Sequence, residues 1–191
     1  MAKDTRDSIV SALISLANQN PQRSSFTMRE IARQAGISRQ AIYQKHFQNY
    51  DDIIKYIHEQ TVQRIFQVFN NSCLRREGNP IECFANFAIP LVYENRNIIR
   101  TLFITQADPG WKEFLRDTYS EWILKNVHYN KEFDFSEDDM TYIVANMIIT
   151  FIEVWIRKEN PTSPEKFKKT FLLLTTISLR DYMILQEKDS E

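Results

Sequence analysis

The chain is poor in glycine, proline and cysteine, with three, six and two of them among 191 residues. So few turn formers leave little chain for loops and exclude collagen-like and glycine-rich low-complexity classes. With 43% hydrophobic and 26% charged residues it is not a disordered chain either. Cys73 and Cys83 match no zinc or redox spacing, and two thiols make no disulfide framework, which favours a reducing cytosol. No apolar signal segment opens the chain, and the longest uncharged apolar stretch, Met140–Ile152, is too short to span a bilayer. The expectation is a soluble cytoplasmic protein without a membrane partner. Signatures of catalysis are missing as well. His46, His58 and His128 have no metal-ligand spacing, no glycine-rich phosphate loop is present, and no serine or cysteine stands in a nucleophile motif. The reading is therefore no enzyme, no metal and no cofactor, with a helical enzyme as the alternative that turnover in a metabolite screen would reveal.

What is present is helical periodicity, and no stretch alternates like a strand bounded by turn residues. The fold class is all-α. A first helix over about 5–18 repeats apolar side chains at Ile9, Leu13, Leu16 and Ala17, giving one buried stripe, and "NQNPQRS" ends it. A second begins at Met28: Thr27 caps it, Glu30 completes a capping box, and Phe26 with Ile31 forms a hydrophobic staple. Gly36 supplies a left-handed position at its end, Ser38 caps a third helix, and Ile37 with Ile42 repeats the staple. Longer helices follow over roughly 51–76, 80–93, 95–106, 110–129, 137–159 and 164–187, separated by "EGNP", "ADPG", "NKEFDFSEDD" and "NPTSPE".

Charge is unevenly placed. Residues 1–50 carry seven basic groups (Lys3, Arg6, Arg23, Arg29, Arg33, Arg39, Lys45) against three acids (Asp4, Asp7, Glu30). That net of +4 leaves −5 for the rest of a chain whose total is −1. A small basic head precedes an acidic body. Two short helices around one glycine have the form of a helix-turn-helix, whose second helix enters the DNA major groove. Ala41 and Ile42 face inward there, leaving Ser38, Arg39, Gln40, Tyr43, Gln44 and Lys45 outside. Arginine and glutamine pair with guanine and adenine edges, whereas serine, tyrosine and lysine hold phosphates. Thr27 and the N–H groups at the start of the second helix offer a further phosphate site. A merely solvated polar face is the plain alternative.

The ordered run Thr27, Ile31-Ala32, Ala35-Gly36, Ser38, Tyr43, His46-Phe47 and Asp51-Asp52 resembles the N-terminal domain of the TetR family of bacterial transcriptional regulators. Residues 5–57 carry most of the resemblance, and "WIRKENPTSPEKF" resembles the junction between that family's last two helices. It implies a DNA-binding domain over 1–50 and a ligand-binding and dimerisation domain over 51–191. It further implies a two-fold dimer that holds a palindromic operator until a small-molecule effector changes the spacing of its heads. Repressor and activator share this DNA-reading helix, so activation, or action through a partner protein, stays open.

The chain departs from the family at two places. Two residues, Gln44 and Lys45, separate Tyr43 from His46 where one is usual, so either the recognition helix is longer or its exit bulges, which alters which of the candidate DNA contacts Gln44, Lys45 and His46 meets DNA. Tyr50 stands where a phosphate-binding lysine is common; its hydroxyl can still reach phosphate.

In the body, broad apolar faces at Ile143, Met147, Ile148, Phe151, Val154 and Trp155, and at Phe167, Phe171, Leu174, Leu179 and Met183, suit a homodimer built from the last two helices. A purely intrachain core is the alternative. Among the thirteen phenylalanines, eight tyrosines and three tryptophans, Phe66, Phe87, Phe103, Trp111, Trp122 and Phe151 are candidate walls of a ligand cavity. His58, beside Ile54, Ile57, Thr61 and Ile65, is a further candidate ligand contact.

Overall fold

The computed structural model of the chain describes residues 5–68, 70–71, 79–129 and 134–177. All regular structure among them is helical. The head comprises α1 (Thr5–Gln19), α2 (Met28–Ala35) and α3 (Arg39–Lys45). Its turns follow from local chemistry. Thr27 accepts the Glu30 N–H while the Glu30 carboxylate accepts the Thr27 N–H, the expected capping box. Gly36 takes φ 69°. The Gly36 N–H donates to the Arg33 carbonyl and that of Ile37 to Ala32, a Schellman ending that a Cβ-bearing residue adopts only with strain. Ser38 accepts the Ala41 N–H at 3.1 Å and starts α3.

α1 buries more than the expected stripe: Val10, Ala12 and Ile14 are covered as well. The reason is tertiary, because α1 lies between α2 and the body helix α7 (Arg96–Ile104). The Asn18 amide donates to the Thr101 hydroxyl across that second contact.

The first body helix, α4 (Tyr50–Val68), starts one residue before the expected 51, because Asn49 accepts the Asp52 N–H and Asp52 accepts that of Gln48. The expected end at 76 lies outside the described residues. The expected helix over 80–93 is a composite: α5 (Pro80–Cys83), a π-helical turn at Phe84–Ala88, and α6 (Ile89–Glu94). Pro90 accounts for the wide turn, since it cannot donate to the carbonyl four residues back and its ring crowds that position. After α7 come α8 (Trp111–Asn126), α9 (Glu137–Ile156) and α10 (Pro164–Thr176); the residues of the expected last helix beyond 177 lie outside the described part. α9 is the one described helix whose length and composition would suit a membrane span. It packs along α8, and its buried Glu153 accepts Lys112 of α8 at 2.8 Å and Arg157 at 3.3 Å, as a core helix does.

Two expectations are corrected by the structure. Ile148, Trp155, Phe167 and Phe171 are buried within the chain and so are not free for a second copy. Trp155 stacks between Phe167 and Tyr93, and Phe171 meets Phe84 and Phe151. What α9 and α10 leave outside is narrower: Tyr142, Ile143, Thr150 and Val154 on one, Thr170 and Leu173 on the other. Leu179 and Met183 lie outside the described residues. Cys83 is disulfide-bonded, against the expectation that two thiols make no disulfide framework and favour a reducing cytosol; Cys73, the chain's other cysteine, is not among the described residues. A single bridge leaves no spacing signature for sequence reasoning to find.

Candidate nucleic-acid interface and apolar cavity

Ile42 is fully buried and pins α3 to the head, so the opposite face is turned outward. Ser38, Arg39, Gln40, Gln44 and Lys45 are exposed there. Tyr43 is half-buried, with the Arg39 guanidinium 5.7 Å from its ring centroid, one turn of helix away. The extra residue is absorbed as helix: α3 runs through Lys45, and both His46 and Phe47 donate their N–H to the Ile42 carbonyl. Half-buried His46 therefore closes the helix, and Gln44 and Lys45 both remain on the open face. Arg29 and Arg33 of α2 are exposed beside it. Both add to the head's positive charge, and their spacing on α2, away from buried Met28, Ile31 and Ala32, is the sequence signal that marks them.

Two other candidates are committed elsewhere. The Thr27 hydroxyl already donates to Glu30 at 2.8 Å. The Tyr50 hydroxyl donates to the Ala107 carbonyl at 2.6 Å, and burial pushes its pKa up, so it anchors head to body instead of meeting a phosphate. The contact runs 57 positions along the chain, beyond the reach of any local pattern.

Glu30 is held by both Arg23 nitrogens, at 2.8 and 3.1 Å. The Arg23 bonds, followed by those from the Thr27 N–H and hydroxyl, lower its carboxyl from 4.5 to about 2. A depressed carboxylate stabilises the fold above its unfolded pKa and loses that contribution as pH falls through the folded one. The cap should accordingly weaken between about pH 4.5 and 2. Since the pair is solvent-exposed, the gain is screened and modest. Thermal melts of wild type and Glu30→Gln across this range should show a shallower acid slope in the variant; equal slopes would contradict the assignment.

In the body, a cavity of about 200 Å³ opens between α4, α5, the π turn, α8 and α9. Its wall is wholly apolar or aromatic and includes Phe66, Ile81, Phe84, Tyr119, Trp122 and Ile148. Two polar tips on this wall are tied down: Trp122 donates to Asn70, and Tyr129 shares a hydrogen bond with Thr141. Of the expected wall, Phe66 and Trp122 are here. Phe103 and Trp111 line a second cavity of about 20 Å³ whose wall shares Tyr119 and Ile148 with the first. Phe87 is half-buried and lines neither; the π turn sets Phe84 inward in its place. Phe151 lines neither because it packs edge-on against Phe171. Tyr119, one turn from Trp122 on α8, was missed and could have been found from that shared face.

His58 also lies off both cavities. Its Nε2 donates to Asp108 Oδ2 at 2.5 Å, and its ring stacks on Phe114 at 4.0 Å between centroids. Asp108 is buried and also accepts the Gly110 N–H. Its loop, residues 105–110, is tied to the head twice, through Tyr50 to Ala107 and through the Gln106 N–H to the Pro21 carbonyl at 2.7 Å. Trp111, the first residue of α8, follows directly.

Residues 24–57, which contain the helix-turn-helix, match the family described as bacterial regulatory proteins, tetR family. Among solved structures, a TetR transcriptional regulator from Streptococcus agalactiae 2603V is 20% identical, with 89% of this chain and 92% of that one covered at a TM-score of 0.60. NalD, the secondary repressor of the MexAB-OprM multidrug efflux pump in Pseudomonas aeruginosa, is 16% identical over 89% of this chain and 94% of its own, also at 0.60. The dihydroxyacetone kinase operon activator DhaS is 19% identical, with 90% and 93% covered at 0.57. No curated protein sequence matches the chain significantly. At these identities the solved structures show a shared fold over about nine-tenths of the chain, and residues 24–57 match the N-terminal helix-turn-helix region of the tetR family of bacterial regulatory proteins.

Proposed function

We propose that the protein is a cytoplasmic homodimeric repressor that reads a palindromic operator with α3 and releases it when a small apolar effector enters the body cavity. The observation that carries this is a single covalent and hydrogen-bonded path: the open face of α3, the head docked on residues 105–110, and α8 leading from that loop into the cavity wall. We divide the chain into a DNA-binding domain over 1–50 and a ligand-binding and dimerisation domain over 51–191. An effector releases DNA only in so far as it prefers the non-binding arrangement, and a tenfold loss of operator affinity needs about 1.4 kcal/mol of preference. NalD supports repression by analogy. DhaS, an activator on the same fold, favours the second reading, in which the bound protein recruits transcription.

Selection from a random duplex pool at low salt tests the DNA-binding step and yields the operator. Wild type should enrich a near-palindrome with half-site centres about 34–36 Å apart or a multiple of that, and binding should weaken steeply with salt. Arg39→Ala should relax preference at one position per half-site and cost about 1–3 kcal/mol if Arg39 reads a guanine. A pool with no enriched sequence would rule the function out.

A further inference from the structure

We propose that the effector is an elongated, uncharged, mainly hydrocarbon molecule with a hydrogen-bond acceptor at one end, and that this acceptor takes the indole N–H of Trp111. The proposal rests on reading the cavity as the effector site and adds which end of the molecule is sensed. Trp111 is 1% exposed, and its Nε1 is the one buried side-chain nitrogen or oxygen without a hydrogen-bond partner among the described residues. The other two tryptophans have theirs: Trp122 donates to Asn70 and Trp155 to the Thr162 carbonyl. A buried donor left unpaired is costly, and such groups in folded proteins call for an explanation.

Trp111 lines the smaller cavity, whose other polar-tipped side chains are Thr61 and Tyr119. The hydroxyl of Thr61 is already donated to the Ile57 carbonyl at 2.7 Å. Tyr119 and Ile148 belong to the walls of both cavities, so these two side chains form the partition between the larger space and the pocket beside Trp111. A slender molecule that turns Tyr119 aside places its body in the larger cavity and its tip against Trp111. Neither wall contains a charged side chain, so a carboxylate or ammonium would be desolvated without a partner and is excluded. A carbonyl, ether or ester oxygen meets both conditions. The same end is the one the DNA-binding head would register, because the Trp111 ring lies 5.4 Å from that of His58, which holds Asp108 in the head-docking loop.

The test uses the full-length protein and three probes of one chain length: 2-nonanone, 5-nonanone and nonane, titrated by calorimetry or by tryptophan fluorescence. The two ketones differ only in where the acceptor sits. In wild type, 2-nonanone should bind several-fold more tightly than 5-nonanone. In Trp111→Phe, which keeps an aromatic ring but has no N–H, 2-nonanone should lose about tenfold, or ~1.4 kcal/mol, while nonane is unaffected. Equal wild-type affinities for the two ketones would overturn the proposal and leave the cavity standing as an effector site; this comparison decides the matter even if Trp111→Phe does not fold. An equal loss of ketone and nonane in the variant would assign Trp111 a packing role and overturn it too. Failure of all three probes to bind wild type would remove the cavity reading itself, and the proposal with it.

Discussion

Val154→Glu combined with Leu173→Glu should give a folded monomer whose operator affinity has dropped by about 10²–10⁴-fold. Both side chains are more than half exposed, at 61% and 55%, so a carboxylate at either position stays in water within one chain. In a dimer formed across α9 and α10 the same carboxylates would be desolvated and would face their own copies across a two-fold axis, which turns a self-complementary surface into a repulsive one. The large loss on DNA arises because a dimer binds its second half-site at the high effective concentration set by the first, and a monomer forfeits that gain without losing any contact in its own head. Phe171, fully buried within the chain, is the contrasting position: a charge there should unfold the protein and say nothing about assembly. Sedimentation at micromolar concentration, circular dichroism and operator titration together make the check. A double variant that remains dimeric, or a monomer that keeps full operator affinity, would show that the interface lies elsewhere.

Trp155→Ala should cost about 3–5 kcal/mol of folding stability. Its indole lies 4.0 Å from the Phe167 ring at an interplanar angle of 6°, and 5.7 Å from Tyr93 at 17°. It thereby joins α9 to α10 on one side and to α6 on the other. Its N–H donates to the Thr162 carbonyl at 2.9 Å, fixing the turn by which the chain reverses into α10. Truncation would remove three attachments at once and leave a void that close-packed neighbours refill only in part. Trp155→Phe should cost less, because it keeps most of the stack and gives up chiefly the Thr162 bond. Against a typical total of about 5–15 kcal/mol, the alanine variant should melt far below wild type in urea or on heating. A measured loss below about 1 kcal/mol would mean that α10 is held by something other than this stack.

Features set by near neighbours along the chain are legible in the sequence, and those set by distant partners are not. Thr27, Glu30, Gly36 and Ser38 act on backbone groups within three residues of themselves, so their caps were legible and the head is built as read. The open face of α3 was legible for the same reason, since burying Ile42 fixes by helical periodicity which side chains point away. The cavity was legible only as an aromatic-rich region. Phe87 was a sound choice for a regular helix, but Pro90 widens the preceding turn and Phe84 takes the position. Tyr50, His58 and Asp108 were beyond reach, because their partners lie 50 to 57 positions away.

By itself, then, the sequence determined an all-helical chain with a basic helix-turn-helix head, because capping, helical period and charge are properties of neighbours along the chain. Only the tertiary structure decided which aromatics enclose a cavity, which apolar residues of α9 and α10 remain outside, and how the head docks on residues 105–110. Those outcomes depend on which helix covers which face, and a face carries no mark of its partner until the helices pack.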